Sequence, residues 1–217
     1  MDALILTFSK EQLTLYHELL KKDNIELNFD TQLPQIDKFF ISDFDEVISN
    51  IQKEAIALLS FNKHNSSFSA FLTQEEIKEL IPVYYNAIRE IKRHSNIIGS
   101  EAWKLSFKLG EINRTLADIN KRYSEFLPYK AALYDREEYS QKTDEINNEF
   151  KKNIQCLNEL KNELIELFQK AEKISNIVSD FIKKSSKATD EPKFKKFDAY
   201  DFFWSLEAFI EQLKIIK

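Results

Sequence analysis

The stretch from Phe150 to Phe181 reads FKKNIQCLNELKNELIELFQKAEKISNIVSDF, and its spacing decides the fold. Phe150, Leu157, Leu160, Leu164, Leu167, Ala171, Ile174, Val178 and Phe181 follow alternating steps of three and four, with Asn153 the polar exception on that stripe. Residues spaced this way share one helical face and make the a and d seam of a heptad repeat. Ile154, Phe168 and Ile182 widen the stripe on one side. No Pro or Gly interrupts the chain between Tyr139 and Ala188, so one helix of about 70 Å is expected there at 1.5 Å per residue.

The same grammar extends in both directions. Leu105, Leu109, Ile112, Leu116, Ile119, Tyr123 and Phe126 predict a second long helix, which Pro128 should kink or end. The two long helices are expected to be antiparallel neighbours, with the reversal inside Pro128 to Tyr139. Upstream, Ile77, Ile81, Tyr84, Ile88 and Ile91 predict a helix that opens on a Thr73–Glu76 capping box and ends at Gly99 as a left-handed C′ residue. Pro82 inside that run predicts a kink or a restart. Gly110 inside the next helix costs about 1 kcal/mol against alanine, and it is read as a close helix crossing.

Towards the N-terminus, Ser9 with Gln12 forms a capping box for a short helix carrying Leu13, Tyr16 and Leu20. A further helix opens near Ser42 and Asp43 and carries Phe44, Ile48, Ile51, Ala55 and Leu58, and residues 62–69 read as a loop. Between these helices residues 24–41 look irregular, and Leu4–Phe8, Ile25–Phe29 and Phe39–Ile41 are candidate short strands. Lys183 to Lys196 reads as a basic loop. Asp198 then caps a last helix with Phe202, Leu206, Phe209, Leu213 and Ile216 on one face. The expected fold is therefore all-α, an elongated bundle with long antiparallel coiled-coil-like helices. It divides in chain order into an N-terminal helical region (1–70), the long helices (71–187), and a basic loop with an aromatic helix packed on the bundle (188–217).

Composition agrees. The chain of 217 residues is 43% hydrophobic and 31% charged, an ordinary balance for a folded domain. It has two glycines where average usage gives roughly 15. That leaves little room for hairpins or Gly-rich phosphate loops, which depend on positive φ. The net charge of −5 argues against general nucleic-acid binding. No apolar run approaches the roughly 18 residues of a transmembrane helix, and the first residues lack the pattern of a signal peptide. Cys156 is the single cysteine, which excludes an intrachain disulfide and fits a reducing, cytoplasmic setting.

Chemistry-bearing patterns are scarce. Helical di-metal sites need Glu-x-x-His pairs, but Thr14, Phe61 and Ile91 stand three residues before His17, His64 and His94. Glu90 and His94 are read as a surface pair. Cys156 sits mid-helix beside the seam, where packing is the simpler role. The neighbours Glu137–Glu138, Asp144–Glu145 and Glu75–Glu76 point about 100° apart on a helix and share no site. No catalytic residue, metal or cofactor is assigned, and an enzyme is not expected. The strongest surface signals lie at the C-terminal end: the lysines Lys193, Lys195 and Lys196, and the consecutive aromatics Phe202, Phe203 and Trp204, which cover more of a helix than one core face can bury. They are read as a partner-binding surface. The leading functional expectation is a non-enzymatic interaction or scaffold protein, an accessory subunit or adaptor with a protein partner. Heptads can also be satisfied between two copies, so a homodimer is compatible. The alternatives are an acidic immunity- or antitoxin-type inhibitor, steered to a basic toxin by charge, and a membrane-surface coiled-coil scaffold.

Overall fold

A computed structural model describes residues 9–33, 43–65, 74–186 and 199–216. Those residues form an all-α bundle of five helices without strands: α1 (Lys10–Lys21), α2 (Asp43–Asn65), α3 (Gln74–Leu133), α4 (Glu137–Lys184) and α5 (Ala199–Ile216). Helices α3 and α4 pack extensively on each other. Two compact units result, and each long helix contributes to both. Unit 1 comprises Met1–Asp37 and Lys108–Leu164, and unit 2 comprises Lys38–Phe107 and Ile165–Lys217.

Helix α4 follows the sequence expectation closely, running unbroken over 48 residues with Glu137 and Glu138 in its first turn and Lys183 and Lys184 in its last. Both charge placements favour the helix dipole. Helix α3 is longer than expected. It runs over 60 residues from Gln74 to Leu133, passing through Pro82, Gly99 and Pro128 without an interruption. Gly99 is therefore an interior residue with no positive φ, rather than a terminator. A Cβ built on Gly110 meets nothing within 4 Å, so the expected close crossing is absent there. Burial outweighs these local penalties: Tyr84, Ile88, Ile91, Ile98, Leu105, Ile112 and Phe126 are all core residues of α3. A fully buried side chain of this size stabilises by about 1.5–3 kcal/mol, against about 3 kcal/mol for an interior proline.

In unit 1, the turn after Leu133 reverses the chain, and Phe126 packs against Phe150 with ring centroids 5.7 Å apart. The Tyr123 hydroxyl donates to Oδ1 of buried Asn147 at 3.0 Å, which satisfies a polar group inside the seam. Residues Ile25–Phe29 form no strand. A chain of side chains holds this segment instead. The backbone N–H of Ile25 donates to the Tyr139 hydroxyl at 3.0 Å. Arg136 donates to the carbonyls of Leu20 at 2.6 Å and Lys22 at 2.8 Å, capping the end of α1. Leu27 is buried with Leu19, Ala132 and Leu133, and Phe29 sits edge-on to Phe126 and Tyr129. The Asn153 amide donates to the carbonyl of buried Thr31 at 2.7 Å. The polar exception on the heptad stripe is thus the residue that pairs an otherwise unsatisfied backbone acceptor.

Unit 2 is a four-helix arrangement of α2, the N-terminal part of α3, the C-terminal part of α4, and α5. Ile48, Ile51, Ala55 and Leu58 of α2 are fully or almost fully buried, as are Ile91 and Ile98 of α3, Ala171, Ile174 and Val178 of α4, and Leu206 and Leu213 of α5. An aromatic cluster joins them. Tyr84 lies edge-on to Phe61 and to Phe202, and Phe181 stacks on Phe209 at 4.3 Å. Burial holds the Tyr84 hydroxyl well above the usual tyrosine range, so it stays protonated. The expected strands Leu4–Phe8 and Phe39–Ile41 and the caps at Thr73 and Asp198 lie outside the described residues, as do residues 66–69 of the expected loop, whereas its residues 62–65 are helical and belong to α2. Helix α1 does begin directly after Ser9, whose carbonyl accepts from Leu13 N–H at 2.9 Å.

Candidate interaction surface

The sequence-predicted surface separates into distinct parts. Lys193, Lys195 and Lys196 lie outside the described residues, as does the side chain of Phe203. Phe202 is buried at 5% exposure between Tyr84 and Phe181. Its ring is committed to the unit 2 core, which corrects its assignment to a contact surface: the position falls on the same face as Leu206, Phe209 and Leu213. Trp204, two positions on, is 53% exposed. Lys183 is exposed and pairs with Asp180 at 3.5 Å, which matches a solvated helix terminus. Between α2 and α5, Ile56, Leu59, Ile210 and the polar side chains Glu207, Glu211 and Lys214 line an open groove of about 360 Å³.

A second surface was not singled out by sequence. On the unit 2 part of α3, Asn86, Arg89, Arg93, Asn96, Ser100, Trp103 and Phe107 are all exposed and recur at steps of three and four. This is a second seam with the heptad period, on the side of α3 away from Tyr84, Ile88, Ile91, Ile98 and Leu105. Trp103 is 64% exposed and Phe107 55%. The two rings touch, with centroids 4.4 Å apart. Spacing of i, i+4 places them one above the other on the helix surface. The signal available in the sequence was their offset by two from the core position Leu105.

Cations surround the upper part of this seam. Arg93 Nε donates to the Glu90 carboxylate at 2.7 Å, and Arg89 lies 3.8 Å from the same carboxylate. Hydrogen bonding to Arg93, aided by the charges of Arg93, Arg89 and His94, holds the Glu90 carboxyl below the usual carboxylate range. Glu90 is thus committed to arginine, and the Glu90–His94 pair reads as part of an ion-pair network. Lys92 is exposed beside them. Lys104 pairs with Glu101 at 2.5 Å. Gly99 lies exposed between the cations and the aromatic pair, with nothing within 4 Å of a Cβ.

Other candidate chemistry takes ordinary structural forms. Asp144 pairs with Lys130 at 3.1 Å while Glu145 accepts from Gln141 at 3.0 Å, so these adjacent carboxylates do point apart. Cys156 is exposed, which corrects the expectation that it packs beside the seam: its g position turns outward on α4. Among the described residues no group of three His, Cys, Asp or Glu side chains is placed to hold a metal ion, and no helix is long and apolar enough to cross a membrane. No family model, curated protein or solved structure matches the chain.

Proposed function

We propose that this protein works by binding another protein, as an accessory subunit or adaptor, and that the outward seam of α3 is a contact surface. The observation that carries this reading is the Trp103–Phe107 ring pair, in mutual contact and held in solvent on a regular helix. Tryptophan and other aromatics are concentrated at the energetic centres of protein interfaces. A water-exposed pair of rings gives up apolar area that a partner would recover at roughly 25 cal/mol per Å². A helix supported along its other side by a packed core presents such a pair with little loss of conformational entropy on binding. The exposed thiol of Cys156 fits a reducing setting such as the cytoplasm.

The test uses immobilised full-length protein, wild type against W103A/F107A, with the host's soluble proteins passed over both. The reading expects at least one protein retained stoichiometrically by the wild type and released from the double variant, with the variant's thermal unfolding unchanged within a few degrees. Equal retention by both forms would remove the α3 seam from the interaction. Light scattering of the wild type over a range of concentrations separates this behaviour from self-association.

A further inference from the structure

The geometry points to an acidic amphipathic helix of a partner protein as the occupant of the α3 seam. This inference rests on the interaction reading of the same face and adds the partner's chemistry. Three observations carry it. First, the seam itself holds no carboxylate: its charged members are Arg89 and Arg93, both well exposed, with Lys92 and Lys104 alongside. Two acids lie nearby, Glu90 paired to Arg93 and Glu101 to Lys104, so the four cations exceed the acids by two. This face is therefore cationic on a chain whose net charge is −5. A complementary partner brings carboxylates to the arginines, where opposite charge favours and orients the encounter.

Second, the aromatic pair follows the cations along the same period of three and four. A partner that satisfies both must present acidic and apolar positions in register with a helix, which an amphipathic helix does at i, i+3, i+4 and i+7. Third, the seam residue between the two halves is Ser100, whose exposed side chain is small. A helix backbone can approach α3 closely at that point. Polyanions are disfavoured as occupants because the chain's net negative charge repels them beyond the local face. A nucleic-acid strand or an anionic bilayer presents many charges to that field, and a single helix presents few.

The experiment displays a library of 20-residue amphipathic helices to full-length protein, with leucines fixed on one face and Glu, Gln or Lys varied beside them. The expected result is enrichment of net-acidic peptides. Their affinity should fall at least tenfold in W103A/F107A and in R89E/R93E, and remain within about threefold in R89K/R93K. The charge-reversed variant should instead enrich basic peptides. Circular dichroism confirms that each variant is folded, and all the altered side chains are exposed. Enrichment of neutral or basic peptides on the wild type overturns the inference, as does indifference of the acidic peptides to R89E/R93E. Tighter competition by a dT20 oligonucleotide or phosphatidylserine vesicles than by the peptides also overturns it. If charge has no effect while W103A/F107A still abolishes binding, the interaction reading stands and the acidic partner is lost. If W103A/F107A has no effect, both fall.

Discussion

Two seams run along the same part of α3, and they have opposite fates. Tyr84, Ile88, Ile91, Ile98 and Leu105 are buried in the unit 2 core. Asn86, Arg89, Arg93, Asn96, Ser100, Trp103 and Phe107 follow the same steps of three and four on the other side and remain exposed. Periodicity alone does not distinguish them. What distinguishes them is the content between the large residues: the inner seam is apolar at nearly every position, while the outer one mixes arginine and amide side chains with two aromatics. A wholly apolar seam is satisfied by neighbours within the chain. A mixed seam with an aromatic pair has no such neighbour among the described residues and is suited to a partner that brings charge as well as apolar area.

The contrast can be broken from the inner side most forcefully. Ile91→Ala removes a side chain with 0% exposure, and a loss of about 2–5 kcal/mol is expected from lost transfer energy and the cavity left behind. Chemical denaturation checks this, with a lower midpoint and an unchanged slope. In unit 1, Asn153→Leu should cost about 1–3 kcal/mol, because the buried Thr31 carbonyl loses its donor. An unchanged stability would show that water replaces the amide there. On the outer side the sign reverses. Gly99→Ala and Gly110→Ala should each stabilise by up to about 1 kcal/mol, since both glycines are helical and a Cβ meets nothing within 4 Å. A destabilised Gly99→Ala would mean that this stretch of α3 is strained or otherwise packed.

Smaller still is the expected effect of Trp103→Ala on stability, within about 0.5 kcal/mol, as for exposed positions generally. A loss as large as that of Ile91→Ala would place Trp103 in the core and end the contrast. The finest probe is Glu90. Its carboxyl titrates below the ordinary range because Arg93 donates to it. Arg93→Gln should move that titration upward, as read by NMR. Because the folded value is depressed, whatever stability the pair contributes is present at neutral pH and is lost as pH falls through the folded value.

Much of the fold was legible in the sequence because heptad spacing is a direct record of burial. Helix α4 and the reversal near Leu133 follow from it, as does the core role of Phe126, Leu164 and Phe181. The misreadings came from local rules that tertiary packing overrode. Gly99 and Pro128 are ordinary terminators in isolation, but α3 has buried residues on both sides of each, and the helix continues. The Ile25–Phe29 run has the alternating apolar residues of a strand, yet its backbone is tied at Ile25 to the Tyr139 side chain and, just beyond it, at Asp30 and Thr31 to Arg122 and Asn153, all more than 90 positions away. The surface was less legible. The density of aromatics near Phe202 suggests a contact surface on α5, but the same density builds the core around Phe181. Trp103 and Phe107 interrupt no core pattern, and their exposure follows only from Leu105 facing inward.

The most direct test of the α3 seam is the fluorescence of Trp103 in a Trp204→Phe background, which leaves one tryptophan. Solvent-exposed, acrylamide-quenchable emission is expected in the free protein, then a blue shift and protection from quenching on saturation with an acidic helical peptide. Emission that is already shielded in the free protein, or that is unchanged at saturating peptide, would contradict it.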